Sequence, residues 1–120
     1  MKKKVYIAGP MTGVPEFNYP AFKRVAKFLR EEGWEVVSPV EIGEPYGSPA
    51  QLANDAALLN RVMVKEQVEL MHCDTIYLLP GWEKSEGSKA ELGIALERGL
   101  EVIQHCHYIG FAKHYTARRD

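Results

Sequence analysis

Thr75-Ile76-Tyr77-Leu78-Leu79 runs unbroken to Pro80-Gly81. It is apolar at nearly every position, as a strand buried on both faces of a parallel sheet must be. A strand with one wet face would alternate. Working outward, Val5-Tyr6-Ile7-Ala8 is a second short apolar run, stopped by Gly9-Pro10. Residues 34–37 read as a third strand closed by Pro39, and Val102-Ile103 begins a fourth. Helical spacing fills the intervals. Phe22, Val25, Ala26 and Leu29 give one helix after Pro20, with Asn18 where a cap is wanted and Gly33 at its end. Leu52, Ala56, Leu59 and Met63 mark one face of a long helix over 51–71. Leu92, Ala95 and Leu96 mark the inward face of a helix over 89–98, capped by Gly99. Residues 38–50, with Gly43, Pro45, Gly47 and Pro49, read as an irregular loop. The expected fold is therefore a single α/β domain over 1–120: a three-layer sandwich of flavodoxin/Rossmann type, with a parallel sheet of four to five strands. Such sheets bind ligands at the carboxyl ends of their strands. Here those ends are residues 9–13, the loop after Val37, and residues 80–88.

Composition narrows the function. The 120 residues are 46% hydrophobic and 26% charged, with a net charge of −1. That balance suits a globular domain and offers no basic excess for a nucleic acid polymer or an anionic membrane. No apolar run approaches the ~18–20 residues of a membrane span. The start MKKKVYIAGP has a signal-like charged end but too short an apolar run. A cytoplasmic protein is expected. Cys73 and Cys106 form no paired framework and read as reduced thiols.

Three common signatures are missing: G-x-G-x-x-G after the first strand, G-x-x-x-x-G-K-[ST], and G-x-S-x-G. His105-Cys106-His107 and His72-Cys73-Asp74 invite a metal reading, but no further ligands stand at a zinc spacing, and no metal is expected. The informative segment is Gly81-Trp82-Glu83-Lys84-Ser85-Glu86-Gly87-Ser88-Lys89-Ala90-Glu91. It puts serines, a glycine and a helix start just beyond a central strand, where free backbone N–H groups can hold a phosphate. Glu91 falls in the first turn of the helix so expected. Ser88-x-x-Glu91 also has the form of a capping box, in which Glu91 would only return to its own cap. Tyr6 reads equally as a packed strand aromatic. Glu66 and Glu69 read as solvated helix charges, Asp55 as a dipole-compensating carboxylate, and Asp74 as a turn residue. Phe17, Tyr19 and Trp82 are aromatics that can stack on a base or simply pack.

Together, Val5-Tyr6-Ile7-Ala8-Gly9-Pro10, Pro80-Gly81 and Glu86-Gly87-Ser88-Lys89-Ala90-Glu91-Leu92-Gly93 resemble the nucleoside 2-deoxyribosyltransferase superfamily over residues 5–103. The resemblance is to a small branch near the deoxynucleoside 5′-monophosphate N-hydrolases. It implies Glu91 as nucleophile and Tyr6 as the residue orienting its carboxylate. It implies a second carboxylate where this chain has Glu66 in place of the family's aspartate. Gly9, Met11, Gly13, Ser85, Gly87 and Ser88 become substrate-binding candidates. Ser85, where the transferases carry an acid, implies a phosphorylated substrate. The implied activity is cleavage of the N-glycosidic bond of 2′-deoxynucleoside 5′-monophosphates, by hydrolysis or by transfer to another base, without a cofactor. The alternative is a nucleotide-binding module of the same fold that no longer turns its ligand over. The resemblance also implies a homodimer or homotetramer. Surplus apolar residues over 51–64, including Val62 and Met63, give that expectation independent support.

Overall fold

The computed structural model describes residues 3–106 and 113–117. Its sheet runs β2-β1-β3-β4-β5, from strands β1 (Lys4–Ala8), β2 (Glu35–Val37), β3 (Thr75–Leu78), β4 (Glu101–Cys106) and β5 (Lys113–Ala117). The first four are parallel, with Tyr6 opposite Val37 on one side and Ile76 on the other. Strand β5 pairs antiparallel with β4. The sequence over 113–117 has no apolar alternation to announce it, so an edge strand replaces the unpatterned tail expected there. His107 and residues 118–120 lie outside the described residues.

Alternation along the two central strands builds two cores. Val5, Ile7, Tyr77 and Leu79 point to one face and pack with Phe22, Val25, Ala26 and Leu29 of helix α1 (Tyr19–Glu31). Tyr6, Ala8, Ile76 and Leu78 point to the other. There they meet Leu70 of α4 (Ala56–Met71) and Ala95 of α5 (Glu86–Glu97). Helices on both faces of a mostly parallel sheet make three layers of flavodoxin type, as expected. The strand order reverses between β1 and β3, so the loops leaving these two strands part on opposite sides and leave a crevice at their carboxyl ends.

Several boundaries differ from the sequence reading. Residues 38–50 are largely helical: α2 (Pro39–Gly43) is followed by a 3-10 turn, Glu44–Tyr46, and proline at the first helical positions suits both. The Arg30 guanidinium forks onto Glu41 at 2.8 and 2.6 Å, tying α2 to α1. The long helix over 51–71 is two helices. Ser48 and Gln51 form a capping box on α3 (Pro49–Ala53), and Asp55 caps α4 by accepting from the Leu58 N–H at 3.0 Å. A cap residue needs non-helical backbone, so the helix has to break there. Leu59 and Met63 lie in the exposed class, whereas Leu52 and Val62 are core, so the apolar face expected over 51–64 is split. On α5, Ala95 is buried but Leu96 is exposed. Asn18 makes no cap bond. Its φ of +62 continues a left-handed run begun at Glu16 and Phe17, and its side-chain amide donates to the Pro10 carbonyl at 2.9 Å. Asp74 closes the sheet's lower end: its carboxylate accepts from the Lys4 N–H at 2.9 Å, and its own N–H donates to the Lys4 carbonyl at 2.8 Å.

Gly9 sits where the chain leaves β1, and a Cβ there would stand 2.8 Å from Leu79 Cβ and Cδ1. Gly93, on α5, has nothing within 4 Å of its Cβ position. Gly9→Ala is therefore expected to destabilise the domain by about 1–3 kcal/mol. Gly93→Ala, a helical glycine with open space, is expected to stabilise it by about 0.5–1 kcal/mol. Urea denaturation of the three proteins checks both signs.

Candidate functional site

The site is made by the two loops that flank the strand-order reversal. After β1, Gly9 packs on Leu79, and the Leu79 N–H donates to the Ala8 carbonyl at 2.8 Å. After β3, Gly81 turns the chain with a φ of +87, and a Cβ there would lie 3.3 Å from Pro10. The loops thus lie against each other. From Gly81 a 3-10 turn, Trp82–Lys84, leads into α5. Helix α5 starts three residues before the expected position. Ser85 is its cap, its Oγ accepting from the Ser88 N–H at 3.1 Å. The capping box read at Ser88 and Glu91 is therefore not formed. Glu91 falls in the second turn, free to bond elsewhere. The cap moved because Ser85-x-x-Ser88 satisfies the same helix start one turn earlier.

Glu91 bonds to Tyr6. The phenol hydroxyl donates to Glu91 Oε2 at 2.6 Å. Tyr6 is on β1, one of the two inner strands of the parallel part of the sheet, on the face covered by α4 and α5, and is fully buried. Burial, reinforced by the charge of Glu91, keeps the phenol well above its ordinary pKa, so it remains a donor. Burial pushes Glu91 up to about 7, and the phenol's donation pulls the other way. Glu66, on α4, goes up to about 8, chiefly through burial and then through the negative charge of Glu91. Two carboxyls facing one cavity thus hold a proton near neutral pH, where an exposed glutamate holds none.

That cavity has a volume of about 520 Å³. Gly9 and Met11 form one wall and Ser85, Gly87, Ser88 and Glu91 another. Leu59, Met63, Glu66 and Gln67 of α4 form a third, a helical face at spacings of four, three and one. Seven of the nine expected site residues line it, and an eighth, Tyr6, lies beneath Glu91. Gly13 does not. It is exposed, with a φ of +83, in a turn closed by the Val14 N–H and the Met11 carbonyl at 3.1 Å, so it serves the turn instead. Ser85 is engaged as a cap. Ser88 is only 2% exposed, and its Oγ has no hydrogen-bond partner among the described residues. Phe17, Tyr19 and Trp82 are not among the lining residues; Tyr19 and Trp82 pack against the two cores. Glu66, read as a solvated charge, faces the cavity. Thr12, Gln67 and Lys84 also line it and were not singled out from the sequence. The signal available for Gln67 was its place one residue after Glu66 on the face of Leu59 and Met63.

No group of three or more His, Cys, Asp or Glu side chains suited to a metal occurs among the described residues. Cys73 is a buried free thiol, pushed up to about 12 by burial, which leaves it unreactive as a nucleophile. No described helix is long and apolar enough to cross a membrane.

Among solved structures, the chain is similar to a Clostridium botulinum CMP N-glycosidase, BcmB. The TM-score is 0.52 at 24% identity, with 85% of this chain and 67% of that chain covered. The likeness establishes a shared fold, in agreement with the resemblance read from the motifs. No curated protein matches the sequence. Residues 3–104 match the family described as a domain of unknown function, DUF4406, and that match covers both site loops, the first three parallel strands and most of the fourth: the chain belongs to this family.

Proposed function

We propose that the protein cleaves the N-glycosidic bond of 2′-deoxynucleoside 5′-monophosphates, with Glu91 as the nucleophile. The observation that carries this reading is the Tyr6–Glu91 hydrogen bond at 2.6 Å on the wall of the cavity. A glutamate that merely capped its helix would turn back to a backbone N–H, and this one does not. The fold shared with a protein titled a CMP N-glycosidase agrees with the reaction class.

In the reaction so proposed, a Glu91 carboxylate oxygen bonds to C1′ from the face opposite the base, and the C1′–N bond breaks. A 2′-deoxy sugar lacks the electron-withdrawing hydroxyl, so its oxocarbenium-like transition state forms more readily. Glu66, still protonated near neutral pH, gives its proton to the departing base. Its extra methylene relative to aspartate lengthens its reach from α4. Water then attacks C1′ and Glu66 takes up the water's proton. Deoxyribose 5-phosphate leaves, and the Glu91 carboxylate is regenerated. If a second base attacks in place of water, the outcome is transfer. The substrate's phosphate is assigned to the start of α5, where the Gly87 N–H and the unpartnered Ser88 hydroxyl are donors. No cofactor enters any step.

The expected pH dependence follows from the two carboxyls. Turnover requires Glu91 ionised and Glu66 protonated. The rate should rise as Glu91 ionises near 7 and fall as Glu66 loses its proton near 8. Tyr6→Phe removes the donation that holds Glu91 down, so the acidic limb should move upward. Base release from each deoxynucleoside monophosphate, measured by chromatography, tests this. Glu91→Gln should lower kcat by about 10³-fold or more. Glu66→Gln should lower it by about 10²-fold and remove the basic limb. Release of no base from any of them, with or without an acceptor base, would contradict the enzyme reading. Calorimetric binding with the nucleotide recovered intact would then support a non-catalytic binding module.

The proposal extends to assembly. Helix α4 exposes Leu59, Met63, Val64, Val68 and Met71, and Leu59 and Met63 belong to the cavity wall as well. Leu59 and Met63 share one face, Val64, Val68 and Met71 the next, and this much exposed apolar surface on one helix is the kind a partner covers. We assign it to a second copy of the chain, as a two-fold homodimer or a dimer of dimers. Val62 is 2% exposed, so a charge there would disrupt the core and test nothing about assembly. Val64, at 61% exposure, is the informative position. Light scattering at micromolar concentration should give a multiple of the 13.6 kDa chain, and Val64→Glu should shift it toward the monomer. A wild-type mass of one chain would refute the dimer.

A further inference from the structure

The cavity poses an electrostatic problem for an anionic substrate. Three carboxylates stand on its wall: Glu66, Glu86 and Glu91. The Glu86 carboxylate is neutralised by the Lys89 ammonium at 2.8 Å, and its side chain is turned to solvent. Glu66 and Glu91 have no cation paired with them among the described residues, and a phosphate dianion entering the cavity meets whatever charge they carry. Among the described residues that line the cavity, Lys84 is the one cation. It forms no ion pair with a carboxylate among those residues, unlike Lys3, Lys4, Lys23, Lys27, Lys89 and Arg30.

The position of Lys84 is set by the backbone. Its N–H donates to the Gly81 carbonyl at 3.1 Å, and the next N–H, of Ser85, donates to the Trp82 carbonyl at 3.0 Å. These bonds hold Lys84 one residue before the cap of α5. At Gly87 the nearest atom to an added Cβ would be Ser85 Oγ at 4.0 Å, so nothing crowds the backbone there. Ser88 adds a hydroxyl that is buried and has no partner among the described residues. A buried hydroxyl without a partner is costly, and a bound acceptor removes that cost. The helix start supplies partial positive charge, the hydroxyl supplies direction, and a lysine supplies the full charge that neither can.

We propose that Lys84 determines substrate specificity: its ammonium pairs with a phosphate seated on the Gly87 N–H and the Ser88 hydroxyl, and so favours nucleoside 5′-monophosphates over uncharged nucleosides. The nucleoside part of the statement rests on the N-glycosidase reading. The anion part does not. Lys84 is exposed, on a flexible stem, so salt screens its contribution and the pairing acts on binding and leaves the chemical step alone.

Inorganic phosphate titrated into uniformly 15N-labelled protein separates the two parts. In the wild type, the Gly87 and Ser88 amide resonances should move saturably. In Lys84→Gln the dissociation constant should rise about tenfold, and Lys84→Arg should restore it to within about threefold. The rise should shrink as sodium chloride is raised. In turnover assays, Lys84→Gln should raise KM for monophosphates about tenfold, leave their kcat unchanged, and leave cleavage of uncharged nucleosides unchanged. Equal phosphate affinity in wild type and Lys84→Gln, or phosphate shifts confined to other residues, would overturn the proposal. Lys84-dependent phosphate binding with no base release from any nucleotide would overturn the N-glycosidase reading and leave the anion site standing.

Discussion

A phenol on a central strand donates a hydrogen bond to a carboxylate on the last helix of the fold, at 2.6 Å and out of bulk water. This bond sets constraints on much of the structure around it. Tyr6 is on an interior strand, paired in parallel with β2 on one side and β3 on the other, and its ring is fully enclosed there. Helix α5 must begin early enough to put Glu91 in its second turn. Ser85 does this by taking the cap that Ser88 would otherwise hold. Ser88 is thereby left buried with an idle hydroxyl, and Glu91 is released from the end of its helix. One choice of cap residue thus frees Glu91 to meet Tyr6 and leaves the Ser88 hydroxyl without a partner among the described residues.

The second organising feature is burial of like charge. Glu66 and Glu91 come from different helices, α4 and α5, that pack side by side on the same face of the sheet. Among the described residues neither has a cation to hold it ionised, so desolvation raises both, and the ionised Glu91 raises Glu66 further. Glu66 is raised further than Glu91, in the direction that a division between the proposed acid and the proposed nucleophile needs. The Tyr6 phenol sharpens the division, since it donates to Glu91 and so favours the ionised form of that carboxyl alone.

Much of this was legible in the sequence, for identifiable reasons. The apolar runs at residues 5–8 and 75–79 announced two buried parallel strands, and the spacing of Phe22, Val25, Ala26 and Leu29 announced the helix on one face. Their order sufficed to put a crevice beyond the strands' carboxyl ends. Glu91, Tyr6 and the residues around Ser85 came from a motif resemblance. Periodicity alone left Tyr6 as packing and Glu91 as a cap. Helix starts were harder. Ser85 and Ser88 are both competent caps three residues apart, and the choice depends on where β3 delivers the chain. The break at Asp55 was hidden by the continuous apolar content on either side of it. Glu66 looked solvated because the cavity it faces is shared with α5 and the loop after β1, far away in sequence. Gly13 stands apart from the cavity wall, in a turn that needs its positive φ, and a glycine near a site signals backbone freedom as readily as it signals contact. The edge strand β5 had no alternation to betray it.

If Glu91 bonds covalently to the sugar during turnover, that bond can be trapped. Protein mixed with a deoxynucleoside 5′-monophosphate, quenched in acid within the first turnovers and digested, can be read by peptide mass spectrometry. The account predicts a mass increase equal to a deoxyribose phosphate residue on the peptide containing Glu91, fragmenting to Glu91 itself, and none in Glu91→Gln. Base release that proceeds with an adduct on a different residue, or that persists undiminished in Glu91→Gln, would contradict it.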